Sequence, residues 1–505
     1  MHLQLDKYFL VPLGSLFLLP AAYAQTNALS ASYRIESEMA VGSGEYTAYQ
    51  LVSNRHDVLS TRANTGYLRA AIELQKPLSN SVKLSGAVDM LTSVHASQSF
   101  YLQQLYANLA WKGFYIEAGT REHQPVTRDI LLSSGSLINS GNAKPLPELR
   151  FGTEDFWTIP GTRDWLQVYF DASYGYFIDA DWLNDQFDTY YEAHRNSYVT
   201  TDVWYHQKKL FLRTDPTRRF SFTIGMEHAV QFGGHCVDYS SGKKKETDIR
   251  PAFSDFFRVL IPSGDGNVGN TYDKTTEWVK GNHLGCWNVS LDYSLDPQNK
   301  LSAYLEVPFE DGSGIRKGNG WDGLWGLEYK NKSAEPQWLR GIVLEYLQTT
   351  DQSGPIHWAP EDFSGMVDGK LPASSTGNDN YYNNYMYNGY SHYGMSLGSP
   401  MLLSPVYNRD CFGGFVDNRV KAWHLGVRGE VNQQWSYLVR GSYREGWGTF
   451  FVPLNPRHHS FNMMVQASYL CGNWKLSAAY GNDTGNIYGD CNTFNFKVVY
   501  HGKIL

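Results

Sequence analysis

From residue 31 onward the chain alternates apolar and polar residues, the period-2 pattern of strands with one apolar face. In 165–178, Leu166, Val168, Phe170, Ala172, Tyr174, Tyr176 and Ile178 share one face, and Gln167, Asp171 and Ser173 share the other. The same alternation recurs in 219–232, where Phe220, Phe222, Ile224 and Met226 oppose Ser221, Thr223 and Glu227. Near the end, Phe461, Met463, Val465, Ala467 and Tyr469 oppose Asn462, Gln466 and Ser468. Marking every such run predicts strands at 31–40, 65–76, 81–93, 101–110, 113–120, 148–158, 165–178, 198–214 and 219–232. It predicts further strands at 283–295, 299–311, 323–332, 337–350, 419–432, 435–446, 459–471, 473–482 and 492–500.

The gaps between these runs alternate in length. Pro77–Asn80, Trp111–Lys112, Asp215–Arg218, Gln433–Gln434 and Gly472 are tight, whereas the gaps between them run longer, up to 233–282 and 351–418. A sandwich or propeller gives no reason for that segregation. An outer-membrane barrel does, because its strands are joined by short periplasmic turns and longer extracellular loops. The expected fold is therefore all-β: a transmembrane antiparallel β-barrel of about 18 strands. Long extracellular loops at about 121–147, 233–282 and 351–418 would plug its lumen, with minor helical segments. Closure is required in lipid, since an open sheet edge would leave amides unpaired in hydrocarbon.

Composition agrees with this. Aromatic residues make up 15% of the 505-residue chain, enough for girdles at both membrane interfaces. A net charge of −7 gives no support for nucleic-acid binding. Residues 1–24 read as a signal peptide, with Lys7, an apolar core from Tyr8 to Pro20 and a small-residue site at Ala22-Tyr23-Ala24. The barrel would then occupy 25–505, exported to the cell outer membrane. Cys236, Cys286, Cys411, Cys471 and Cys491 are too few for a disulfide scaffold and have no metal-ligand spacing. Some read as small apolar residues on membrane-facing or buried positions.

The loops carry the candidate chemistry. Loop 351–418 concentrates Asn380, Tyr381, Tyr382, Asn384, Tyr385, Tyr387, Tyr390, His392 and Tyr393. Rings offer flat faces to the CH patches of sugars, and amides hydrogen-bond their hydroxyls; equally, such a segment could pack on itself as a plug. Loop 121–147 brings Arg121, His123, Arg128, Asn142 and Lys144, suited to an acidic glycan or to pairing with wall carboxylates and lipopolysaccharide phosphates. In 250–261, Phe253, Phe256, Phe257 and Leu260 fall on one helical face, expected over the barrel mouth. Gly264, Gly266 and Gly269 spell G-x-G-x-x-G without the strand and helix that a nucleotide site needs. No G-x-S-x-G, H-E-x-x-H or Walker A motif is present, so catalysis is not expected, nor any cofactor or metal.

Several segments resemble the capsule-assembly Wzi family: Ala48–Arg55, Leu132–Leu137 with Asn142–Pro147, His206–Lys209, Gly281–Gly285, and Asn380–Tyr385 through Tyr390 to Gly398–Pro400. The resemblance implies a plugged barrel with some helix on the periplasmic side. It also implies a lectin-like, non-catalytic role in holding capsular polysaccharide at the surface. The expected partners are then capsular or other surface polysaccharide, together with outer-membrane lipids and lipopolysaccharide, and the protein is expected to be a monomer. The alternative is a porin or sugar channel, with the 351–418 loop as its constriction.

Overall fold

The computed structural model describes residues 28–194, 197–239, 242–260, 281–310, 312–315, 317–354, 357–358, 375–376, 379–384 and 386–505. The expected signal peptide, the G-x-G-x-x-G segment and Tyr385 lie outside them.

Eighteen antiparallel strands close on themselves. They are β1 (Ser30–Ser43), β2 (Thr65–Ser79), β3 (Val82–Val94), β4 (Phe100–Trp111), β5 (Phe114–Thr120), β6 (Pro147–Thr153), β7 (Leu166–Tyr176), β8 (Trp204–Thr214) and β9 (Phe220–Phe232). They continue with β10 (Asn282–Ser294), β11 (Asn299–Phe309), β12 (Gly323–Asn331), β13 (Gly341–Gln348), β14 (Val420–Glu430), β15 (Trp435–Gly448), β16 (Pro453–Cys471), β17 (Trp474–Gly485) and β18 (Cys491–Lys503). Each strand pairs with the next, and β18 returns to β1 in a register running from Ser32 opposite Lys503 to Ser43 opposite Asn492.

Exposure follows the pleat. On β9, Phe220, Phe222 and Ile224 face outward and are exposed, while Ser221 and Thr223 point inward and are buried. Trp111, Trp165, Phe220, Trp435 and Trp474 are exposed beside the short turns, and Trp321 and Trp423 at the opposite end. This is the double aromatic girdle of a membrane barrel. Several inward charges are paired: Arg69 with Asp89 at 2.6 Å, Lys209 with Glu227 at 3.5 Å, and Arg150 with both Glu148 and Asp171.

All eighteen sequence-derived strands are present, three of them with a boundary moved by five or six residues. The 148–158 strand ends at Thr153, and a separate two-residue strand, Trp157–Thr158, follows it. The 198–214 strand breaks at Asp202, whose φ is 57°, a value a strand does not tolerate. Its first part, Tyr198–Thr201, joins a three-stranded sheet with Gly234–Asp238 and Lys245–Ile249. The 459–471 strand begins six residues earlier, at Pro453.

Four α-helices are described, α1 (Tyr49–Val52), α2 (Ala180–His194), α3 (Phe253–Arg258) and α4 (Gly312–Ile315), with a 3-10 turn at Pro405–Tyr407. Every one lies in a long connection, so the periplasmic helix implied by the family resemblance does not appear among the described residues. No described helix is long and apolar enough to cross a membrane. No disulfide joins the cysteines, and Cys286 and Cys491 are buried.

Val465 lies mid-strand on the lipid face, between Val439 and Tyr480. Val465→Arg is expected to destabilise the folded barrel by about 2–4 kcal/mol in denaturant titrations in lipid. Gln466→Arg, one residue on and facing the lumen, is expected to cost much less.

Candidate functional site

The upper lumen is filled by three connections that dip inward: 44–64, 121–146 and 379–419. Two buried wall carboxylates anchor the middle one. Glu345 on β13 accepts the Ser133 hydroxyl at 2.7 Å, the Ser134 amide at 2.6 Å and the Tyr304 hydroxyl at 2.5 Å. Glu306 on β11 accepts the Leu137 amide at 2.8 Å and ion-pairs with Arg128 at 3.0 Å. The Arg128 guanidinium also lies 3.7 Å from the centre of the Tyr304 ring. From the neighbouring strand β14, directly opposite Glu345 in the register, the His424 imidazole reaches the Leu132 carbonyl at 2.8 Å. In the first connection, α1 is held by the Asp483 carboxylate, which accepts the Tyr49 amide at 2.8 Å, and by the Gln50–Ser442 hydrogen bond at 2.6 Å.

The 379–419 connection seals this layer, and here most of the residues expected to touch ligand are structural. Tyr381, Tyr382, Tyr387, Tyr390, His392 and Tyr393 are buried. Tyr382 donates its hydroxyl to the Leu137 carbonyl, and the Tyr390 hydroxyl meets the Ile138 carbonyl and the Tyr205 hydroxyl, each at 3.0 Å. His392 donates from Nδ1 to the Lys144 carbonyl at 2.9 Å, and burial holds the ring neutral, its pKa pulled down to about 3. Lys144 lies over the Tyr101 and Tyr393 rings. Asn142 binds the Asn54 amide and the Ser396 carbonyl. The reason is geometric: a polar lumen this wide must be filled with water or with protein groups that satisfy its wall. Aromatic hydroxyls and amides do both, so the plug uses the same residue types as a sugar site.

Arg121 and His123 face the other way, both paired with Glu117. They line a cavity of about 1180 Å³ beneath the plug, together with Lys83, Asn473 and Lys503 near the short turns. Two cavities within the plug are only about 40 and 10 Å³.

The outward-facing concavity is a groove of about 720 Å³ on the long-loop side. Its walls are α2, the 380–389 and 410–416 segments, and the turn joining β15 to β16. Phe187 and Tyr190 on α2 and Phe412 opposite supply aromatic faces, with Tyr190 and Phe412 ring centres 5.3 Å apart. Asn380 and Asn384 of the expected set line it, beside Asn383 and Asn388. Most of these amide groups are already engaged, Asn383 with the Phe415 backbone in both directions at 2.8 Å and Asn384 with Asn282 at 3.1 Å. Other polar groups along it are Gln186, Ser197, the Tyr190 hydroxyl and Asp410, whose carboxylate accepts the Phe412 amide at 3.2 Å. Leu183, Phe187, Tyr190 and Tyr191 fall at i, i+4, i+7 and i+8, so α2 was legible as an amphipathic helix and its outer aromatic residues as candidates.

No protein-family model matches this sequence, and no curated protein matches it. Among solved structures, the chain is similar to Wzi of Escherichia coli, an outer-membrane protein involved in group 1 capsule assembly and described as a carbohydrate-binding β-barrel. The TM-score is 0.52 at 10% identity, over 92% of this chain and 83% of Wzi. The fold is that of an outer-membrane β-barrel. Acinetobacter baumannii OccAB2 (TM-score 0.49, 8% identity, 94% of this chain and 98% of that one) and Pseudomonas aeruginosa OccK5 (0.46, 11%, 94% and 98%) are more distant.

Two outcomes follow for the plug. Arg128→Ala leaves the Glu306 carboxylate buried without its cation, a loss of about 3–5 kcal/mol for a buried pair. The 121–146 segment should then become susceptible to protease in the folded barrel. The second concerns Asp179, just beyond β7, which accepts the Tyr393 amide at 2.9 Å. Burial pushes its carboxyl up to about 7. The folded state therefore holds this proton more tightly than the undocked loop, and docking weakens as pH rises from about 4 through 7. Hydrogen exchange of the peptide spanning Tyr393, corrected for intrinsic rate, should speed up between pH 5 and 8 in the parent and stay level in Asp179→Asn.

Proposed function

We propose that this barrel is a non-catalytic surface protein that binds capsular polysaccharide and attaches it to the cell, with the ligand lying in the α2 groove. The observation that carries the reading is the pairing of a filled upper lumen with an aromatic-lined groove on its long-loop side. Aromatic faces meet the CH surfaces of sugar rings, while Gln186, Asp410 and the Tyr190 hydroxyl supply partners for their hydroxyls. The fold similarity to a carbohydrate-binding barrel of capsule assembly supports the same reading. A groove of this size contacts only a few sugar units of a chain. Retention of a polymer then comes from many weak contacts along one strand, shared among many copies of the protein. The buried connections across the upper lumen favour attachment over passage.

Gene deletion followed by separation of cell-bound from released polysaccharide tests attachment directly. Normal synthesis with polymer shed into the medium is expected. Complementation with Tyr190→Ala/Phe412→Ala should fail to restore retention while the barrel still folds, since the ring faces proposed to meet the sugar are then removed. An unchanged cell-bound fraction in the deletion strain would sink the attachment reading.

A further inference from the structure

The 250–260 segment does not cover the barrel mouth. It lies against the outside of the wall. On β7, β8 and β9 the outward positions near the long-loop end are Tyr174, Trp204 and Phe232, and α3 packs on them through Phe256, with ring centres 5.3–5.4 Å apart. Val230, Phe232 and Val259 form a buried apolar cluster there, on the same outward row that is exposed lower down at Phe220, Phe222 and Ile224. Two polar ties hold the segment in place. Tyr174 donates its hydroxyl to the Phe256 carbonyl, and Lys208 reaches the carbonyls of Val259 (3.4 Å) and Leu260. Lys208 would otherwise place a bare ammonium on a lipid-facing row, which is costly; the carbonyl end of α3 satisfies it.

Among the described residues, nothing packs on the opposite face of α3. Phe253 is 82% exposed and Phe257 59%, their rings in edge contact at 5.3 Å. An exposed Phe pair on the outside of a barrel, at the height where its aromatic girdle ends, sits at the boundary between acyl chains and headgroups. Charge points the same way. Within 243–258, five cations (Lys243, Lys244, Lys245, Arg250 and Arg258) face three acids (Glu246, Asp248 and Asp255). Arg250 and Arg258 make only loose contacts with Asp248 (3.3 Å) and Asp255 (3.7 Å), and both side chains are more than half exposed.

We infer that α3 is a lipid-docking element: Phe253 and Phe257 enter the outer edge of the bilayer, and Arg250 and Arg258 receive the phosphate of an anionic membrane lipid. The segment is then an anchor in the plane of the membrane, tied to the wall through Lys208, and separate from the plug and the groove.

Photo-crosslinking of the full-length protein in phosphatidylglycerol vesicles tests this. Phe253→p-benzoylphenylalanine and Phe257→p-benzoylphenylalanine are expected to form lipid adducts at yields near that of Leu210→p-benzoylphenylalanine, an outward strand position. The same probe at Gln186, in the groove, should form none. Adducts are scored on protein that keeps the heat-modifiable mobility of a folded barrel, which removes misfolded variants from the comparison. Adding Arg250→Gln and Arg258→Gln should lower the yield at 253 by about fivefold per charge removed. Absence of lipid adducts at both Phe positions, while Leu210 labels, would overturn the docking. A yield that ignores the two Arg substitutions would overturn the assignment of an anionic lipid.

Discussion

A β-strand inside a bilayer has nowhere to place its amide groups except on a neighbouring strand. That constraint, met here by the β1–β18 pairing, shapes everything else in the molecule. Closing eighteen strands makes a ring too wide for wall side chains to fill. The inward row is rich in charge, because outward positions must be apolar and the alternation leaves the polar residues inside. Wall carboxylates such as Glu306 and Glu345 thus face a space that must be supplied with donors.

The connections supply them. Ser133, Ser134, Leu137 and Arg128 bring hydroxyl, amide and guanidinium donors to these two carboxylates, and the tyrosines of 381–393 close over the top. The plug is therefore coupled to the wall by charge and by backbone hydrogen bonds more than by apolar burial alone. Removal of one partner leaves the other desolvated, so single substitutions at the anchors act far from where they are made.

With the lumen occupied, ligand contact moves to the rim. There α2 and the 410–416 segment line a groove with half-buried aromatic residues, and on the outer wall α3 leaves two phenylalanines exposed. The two surfaces differ in what surrounds them. The groove opens among the long loops, whereas α3 rests on the row that continues downward as the lipid face. That difference in setting, and not the residue types, separates a sugar surface from a lipid surface.

Strand number, order and facing were legible in the chain itself. A half-buried strand writes its two environments into alternate residues, and tight turns at every second gap declare the antiparallel path. Boundaries slipped where one residue overrode the pattern, as at Asp202 with its positive φ. The roles of the loop residues were not legible. Whether Tyr382 meets solvent or the Leu137 carbonyl depends on a partner 245 residues away, and nothing local to either segment encodes that meeting. Burial of Tyr390 and His392, the inward turn of Arg121 and the outer-wall seat of α3 were all decided by closure, which brings distant connections into one confined space.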